Sequence, residues 1–260
     1  MGGTGGPMDY LEGCEEALPG SPSIGLGRPF RPGPNEAILI AVHLLRSGKA
    51  FPQMNITIIG TGNMARGIAT RALAGDNAVT LLGHETADAS ALAADLNGDL
   101  ATGTVGDPVN GEIVVLAIPY EAIDDVLGHY DGQLDGKTVV DITNPVDFST
   151  FTPLNVEAGS AAQEIAEKVP AAKVVKAFNT TFAGTLVAGK VAGQQLDVLI
   201  ASDDEQAKAS VKQLVESGGL RAIDAGPLAR AHELEAVGYL HMFLQESLGT
   251  GFGSTVKVLS

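Results

Sequence analysis

An apolar run from Ile56 to Ile59 ends in Gly60-Thr61-Gly62, and Asn63-Met64-Ala65-Arg66-Gly67 continues with helical character. A strand, a tight glycine turn and a helix N-terminus in that order can hold the pyrophosphate of a dinucleotide. Gly60 permits the turn, and Gly62 lets the backbone approach the phosphates with no Cβ in between. Ala65 stands where a third glycine would sit, still small enough for the helix to pack on the strand. The helix end offers free N–H groups and a partial positive charge to an anion. Glycine turns after strands are common, so the surroundings must give this one its meaning.

Little else in the chain reads as reactive. The five histidines lack metal-ligand spacing; His232 and His241, nine apart, read as core or surface residues. Cys14 is the only cysteine, so there is no disulfide framework and no thiolate metal cluster. No catalytic triad is recognisable. The formal charge of −15 and the 5% aromatic content, without Trp, argue against a nucleic-acid surface. They fit a soluble, cytoplasmic or salt-adapted protein in which local dipoles and a few cations must hold any anionic ligand. No apolar run approaches the roughly 20 residues that span a bilayer.

The elements that must position the turn are legible from residue 54 onward. Residues 1–53 hold ten Gly and seven Pro and show almost no periodicity, which reads as a disordered, low-complexity extension. Strand patterns then fall at 56–59, 78–82, 112–118, 137–142, 172–178, 196–201 and 220–224, with apolar residues at 256–259. Helical patterns fall between them at 63–74, 87–96, 120–127, 160–168, 203–217 and 227–247, the last with Pro227 in its first turn. Near-continuous apolar strands require a parallel sheet covered on both faces. The reading is α/β: a Rossmann-type doubly wound parallel sheet over 54–180, with a small C-terminal α/β lobe over 181–260 completing the substrate site.

Several ordered segments carry a resemblance across about Asn55 to Leu259. They are Gly60-Thr61-Gly62-Asn63-Met64, Ala117-Ile118-Pro119-Tyr120, Val174-Val175-Lys176-Ala177-Phe178-Asn179-Thr180, and Gly219 to Leu228 with Glu233 downstream. Gly251-Phe252-Gly253 before a short strand adds to them. The chain resembles the F420-dependent NADP oxidoreductase family, whose members pass hydride between NADP(H) and the deazaflavin coenzyme F420. Asn63-Met64-Ala65 also occurs in pyrroline-5-carboxylate reductases, but those add an all-helical C-terminal domain, and here that third carries strand patterns.

The resemblance implies cofactor contacts at Gly60, Thr61, Gly62, Asn63, Met64, Ile118, Pro119, Asn144 and Ala183, with Asn179 and Thr180 at a deazaflavin edge. Blander roles stand beside these: a turn hydroxyl for Thr61, a core position for Met64, a strand end for Pro119, an Asx turn for Asn144 and helix caps for Asn179 and Thr180. Hydride transfer between two planar rings needs positioning and exclusion of water, not an acid, base or nucleophile from the protein. No catalytic side chain and no metal are therefore expected. The resemblance also allows a homodimer through the C-terminal helix, which the residues alone do not decide.

One departure stands out. The second strand of the family ends in a small hydroxyl residue and Arg, which grip the NADP 2′-phosphate; here His84 and Glu85 take those places. A carboxylate repels that phosphate but accepts hydrogen bonds from the bare ribose of NAD, so the local charge leans toward NAD or mixed use. Arg66 matches a basic position and can help any phosphate. Reduction of another small acceptor, a flavin or an imine, and a non-catalytic dinucleotide-binding role are the alternative readings. A chain beginning at Met54 is expected to fold and to bind dinucleotide as the full chain does; loss of that affinity in a titration would sink the reading of residues 1–53 as dispensable.

Overall fold

The computed structural model describes residues 51–147, 149–150 and 152–259, so the reading of residues 1–50 lies outside the described residues. The first half runs β1 (Asn55–Ile59), α1 (Asn63–Ala74), β2 (Ala78–Gly83), α2 (Thr86–Ala94), β3 (Leu100–Thr104), β4 (Ile113–Leu116), a 3-10 turn and α3 (Ile123–Gly128). Next come β5 (Thr138–Asp141), the short hairpin β6 (Val146–Asp147) and β7 (Thr152–Pro153), α4 (Ala161–Lys168) and β8 (Lys173–Lys176). The chain closes with α5 (Ala183–Ala188), the hairpin β9 (Lys190–Val191) and β10 (Gln194–Gln195), β11 (Asp197–Ala201), α6 (Glu205–Ser217), β12 (Arg221–Gly226) and α7 (Ala231–Leu248).

Eight strands form one sheet in the order β12-β11-β8-β5-β4-β1-β2-β3. It has the expected Rossmann-type character: every pairing from β3 across to β8 is parallel. Alternate residues of the buried strands feed opposite faces. Val115, Val140 and Val175 pack with Ala65, Ile68 and Ala72 of α1 and with Val211 and Leu214 of α6. Val114, Val139 and Val174 pack with Ile123 and Val126 of α3 and Ile165 of α4. The inner face of α1 repeats at the three- and four-residue spacing of an amphipathic helix. Ser160 starts α4 by accepting from Gln163 N, and Asp204 starts α6 by accepting from Ala207 N at 2.7 Å.

Three features differ from the sequence pattern. β11 runs antiparallel to β8, and β12 follows β11 in parallel, so the sheet is mixed at this end. The link from β8 to β11 holds a helix of only six residues, which rises about 9 Å, too little to carry the chain back along the sheet for a parallel return. β3, Leu-Ala-Thr-Gly-Thr, is an edge strand with Ala101 and Thr102 exposed, and its glycine and threonines leave no apolar run. Residues 256–259 form no strand; side chains fasten them instead. Asp197 accepts from Lys257 Nζ at 2.6 Å and from Val258 N at 2.9 Å, and also pairs with Arg221. Burial would raise the Asp197 carboxyl, but these donors hold it down at about 2.

A buried ionic cluster closes the sheet against α7. Asp141 and Lys176 are register partners at the ends of β5 and β8. Lys176 Nζ donates to Asp141 Oδ2 at 2.7 Å, Glu235 Oε1 at 2.7 Å and the Thr143 carbonyl at 2.6 Å. Glu235 Oε1 also accepts from Ala161 N at the start of α4. One ammonium thus faces two carboxylates in the dry interior. Desolvation pushes the Glu235 carboxyl up against the opposing pull of Lys176. Removing one member of such a cluster costs about 3–5 kcal/mol, so Lys176→Met is expected to lower Tm by on the order of 10 °C. Between its ordinary pKa of 4.5 and the raised folded value, Glu235 holds a proton more tightly in the native state. Its contribution to stability is therefore present at lower pH and lost as pH rises through that window. The stability deficit of Glu235→Gln against the native chain should shrink over the same rise, as denaturant titrations at several pH values would read.

Candidate active site

The reversal of strand order lies between β1 and β4, where open α/β sheets bind ligands at the carboxyl ends of their strands. Gly60 makes this corner. Its φ is +119°, and a Cβ there would lie 2.2 Å from the Ala117 carbonyl oxygen, so only glycine lets β1 turn away beside β4. Gly60 N donates to Leu82 O at 2.8 Å, which ties the turn to β2 as well. Gly62 is the N-cap of α1 with extended backbone and no side-chain cap, and a Cβ added there would meet nothing within 4 Å. The first turn of α1 is thus open and its N–H groups are available to an anion, as a pyrophosphate requires.

In front of it lies a cleft of about 770 Å³. Four successive strand ends supply its walls: Gly62–Met64 after β1, Ile118 and Pro119 after β4, Thr143 and Asn144 after β5, and Asn179 with Thr181–Gly184 after β8. Phe252 from the segment after α7 closes one side. Asn144 is locked in place: its Nδ2 donates to Asn179 O at 2.9 Å, and its Oδ1 accepts from Asn179 Nδ2 at 2.9 Å. Gly238 of α7 makes room for it, since a Cβ there would come within 2.6 Å of Asn144 Oδ1. Asn179 Nδ2 is further spent on Leu234 O at 2.8 Å.

The structure brings Gly62, Asn63, Met64, Ile118, Pro119, Asn144, Asn179 and Ala183 together on this one cleft. Met64 both lines it and packs on the core, so its two roles coincide. Gly60 and Thr61 are half-buried in the turn itself and do not line the cleft. Thr180 is buried and off the wall. His84 and Glu85 follow β2, exposed and not among the residues that line the cleft.

Phe182 is a wall residue that sequence reasoning missed. It stacks on His241 with ring centroids 4.2 Å apart and meets Phe252 edge-on at 5.0 Å. With so few aromatic residues in the chain, Phe182 and Phe252 were the available signal. His241 itself sits behind the wall, buried, with Nε2 2.8 Å from Ser254 Oγ; burial lowers its pKa and keeps it neutral near pH 7.

Among the described residues, Arg66 is the one charged side chain on the cleft, and no carboxylate, imidazole, amine or thiol lines it. Tyr120 lines it too, but its hydroxyl donates to Glu164 Oε2 at 2.5 Å. Desolvation first, then the bond to Glu164, push the Tyr120 pKa upward, so it is a poor proton donor. Among the described residues no helix is long and apolar enough to cross a membrane.

The chain is similar in sequence and fold to several known proteins. A family model described as NADP oxidoreductase, coenzyme F420-dependent, matches residues 55–145. The F420-dependent NADP reductase of Methanothermobacter marburgensis is 31% identical over 205 residues, which cover 71% of this chain and 89% of that protein. The metalloreductase STEAP3 of Rattus norvegicus is 33% identical over 184 residues, but this chain spans only 36% of its length. Among solved structures, one from Arthrobacter sp. FB24, described as a candidate F420-dependent NADP-reductase, matches with TM-score 0.71 at 28% identity and covers 80% of this chain and 100% of that one. An imine reductase from Myxococcus stipitatus, at 20% identity and TM-score 0.56 over 77% of this chain and 63% of that one, shares the fold alone.

The two glycines of the turn should separate fold from binding. Gly62→Ala is expected to lower Tm by only a few degrees, as the loss of a neutral N-cap does, while weakening dinucleotide binding about tenfold or more through crowding of the pyrophosphate. Gly60→Ala should instead destabilise the fold itself, by about 3 kcal/mol or more. Thermal melts alongside a dinucleotide titration check both; equal loss of stability in the two variants would contradict the assignment.

Proposed function

The chain belongs to the F420-dependent NADP oxidoreductase family, and we propose that its cleft holds the nicotinamide of NADP(H) against coenzyme F420 for hydride transfer. The observation that carries this reading is a large, mostly apolar cleft that no carboxylate, imidazole, amine or thiol of the described residues lines, opening from an uncapped helix N-terminus. Bound there, the nicotinamide and the deazaflavin supply the redox chemistry between them. The protein's part is placement. The first turn of α1 takes the pyrophosphate, and Ile118 and Pro119 border the nicotinamide half of the cofactor. Ala183, small and facing the cleft, leaves room for two rings to stack, while Phe182 and Phe252 keep water from the reacting carbons.

Imine reduction is less well served, because the imine nitrogen must gain a proton and Tyr120 holds its own more tightly than a free tyrosine does. The acidic chain and its reductase relatives fit a cytoplasmic setting. We further propose a homodimer through α7, where Leu240, Phe243, Leu244 and Leu248 are exposed large apolar residues on one helix.

Mixing the protein with NADPH and F420 while following nicotinamide absorbance tests the reaction. Turnover with F420 is expected; turnover with a flavin alone, or tight dinucleotide binding without turnover on any acceptor, would replace the reading. Ala183→Phe should cut turnover by about a hundredfold or more with dinucleotide affinity nearly unchanged, since it fills the place of the second ring. Light scattering giving a single-chain mass at assay concentration would remove the dimer.

A further inference from the structure

We infer that Glu85 and Asp95 weaken this chain's hold on the 2′-phosphate of NADP, so that it binds NADH and NADPH with similar affinity; the inference rests on the hydride-transfer reading above. The loop after β2 is where a Rossmann site distinguishes the two dinucleotides. Here it packs directly on the phosphate turn: a Cβ on Gly83 would lie 3.1 Å from Thr61 Cγ2 and 2.6 Å from Glu85 O.

Its charges are of the wrong sign for a phosphate dianion. Glu85 is exposed at the N-cap of α2, and Asp88 follows in the first turn of that helix. Between residues 51 and 136, Arg66 and Arg71 are the only Lys or Arg side chains. Arg71 is spent at the far end of α1, where it donates to Val187 O at 2.9 Å and to Gly218 O. Arg66 Nη2 is paired with Asp95 Oδ2 at 2.8 Å, at the other end of α2. His84 remains, exposed at the start of the same loop. The pyrophosphate site therefore suits a dinucleotide, whereas the residues beyond it do not suit the added phosphate. They suit a bare ribose, whose two hydroxyls can donate to Glu85.

Magnitudes set how far this goes. The side chains of Arg66 and Asp95 are 38% and 59% exposed, so their pairing resists displacement by a factor of about five at most. A 2′-phosphate can pull Arg66 away at that cost, which erodes NADP preference without excluding NADP. Asp95 is thus a specificity-determining position that touches no ligand.

The test measures binding of NADPH and NADH to the full chain in the absence of any acceptor, by calorimetry or nicotinamide fluorescence. The two Kd values are expected within tenfold of each other; NADPH binding more than tenfold tighter than NADH overturns the inference. Asp95→Ala should tighten NADPH binding up to about fivefold and leave NADH within twofold. Glu85→Arg should raise the NADPH preference about tenfold or more. Both side chains are exposed, so folding is not at stake, and Glu85→Gln gives a milder step in the same direction. An unmoved preference in Asp95→Ala and Glu85→Arg together also overturns the inference. Binding as expected without turnover on F420 supports this inference and sinks only the hydride-transfer reading.

Discussion

A single buried ammonium organises the ligand side of this molecule. Lys176 lies buried between Asp141 and Glu235, and it also donates to the Thr143 carbonyl. Those four residues come from β5, the loop after it, β8 and α7, and that loop and the one after β8 form part of the cleft floor. A buried pair of this kind gains little net stability over apolar packing, because desolvation consumes most of the attraction. Its geometry is nevertheless demanding. A carboxylate that shifted by an ångström would be left charged and unpartnered, so β5, β8 and α7 have little freedom to slide past one another.

The cleft inherits that rigidity through contacts too close for alternatives. Asn144 follows the cluster by one residue from Thr143 and is clasped by Asn179, which is three residues beyond Lys176. Gly238, three residues beyond Glu235, lets α7 close directly over that clasp. At the opposite wall, Gly60 brings β1 against the Ala117 carbonyl, so the phosphate turn and the Ile118-Pro119 wall are fixed relative to each other. Hydride transfer depends on the separation of two carbons, and a site built on strand ends and backbone contacts holds that separation better than one built on long side chains.

How much of this could be read from the residues follows from the range of each interaction. The turn at Gly60-Thr61-Gly62, the helix Asn63–Ala74 and the buried strands announce themselves locally, through glycine spacing and apolar periodicity. β3 is invisible because an edge strand half in water has no apolar run to display. The reversal of β11 and β12 is set by the shortness of α5, and the strand residues themselves do not encode direction. The pairing of Arg66 with Asp95 spans 29 residues, and the fastening of residues 257 and 258 to Asp197 spans about 60. Sequence shows that these charges exist; only the fold shows which are already taken. Thr180 and Asn179, adjacent in the chain, illustrate the same point: one is sealed in the core, and the other reaches the cleft with its amide nitrogen already committed.

The chain carries a formal charge of −15 and yet is built to take up anionic cofactors. Long-range attraction cannot bring a dinucleotide in, and at physiological ionic strength the general repulsion fades beyond about 8 Å. What remains at contact distance is the partial positive charge of the α1 N-terminus, with donors the protein leaves uncapped. That charge is fixed by the backbone and does not depend on any side chain being free. A pyrophosphate can therefore be held even where every nearby cation is paired. The effect of such a dipole fades within the first turn, so a 2′-phosphate, as proposed above, must compete with Asp95 for Arg66. The same acidic surface that leaves the backbone site intact claims Arg66 for Asp95, which is the electrostatic ground for the proposed similar affinity for NADH and NADPH.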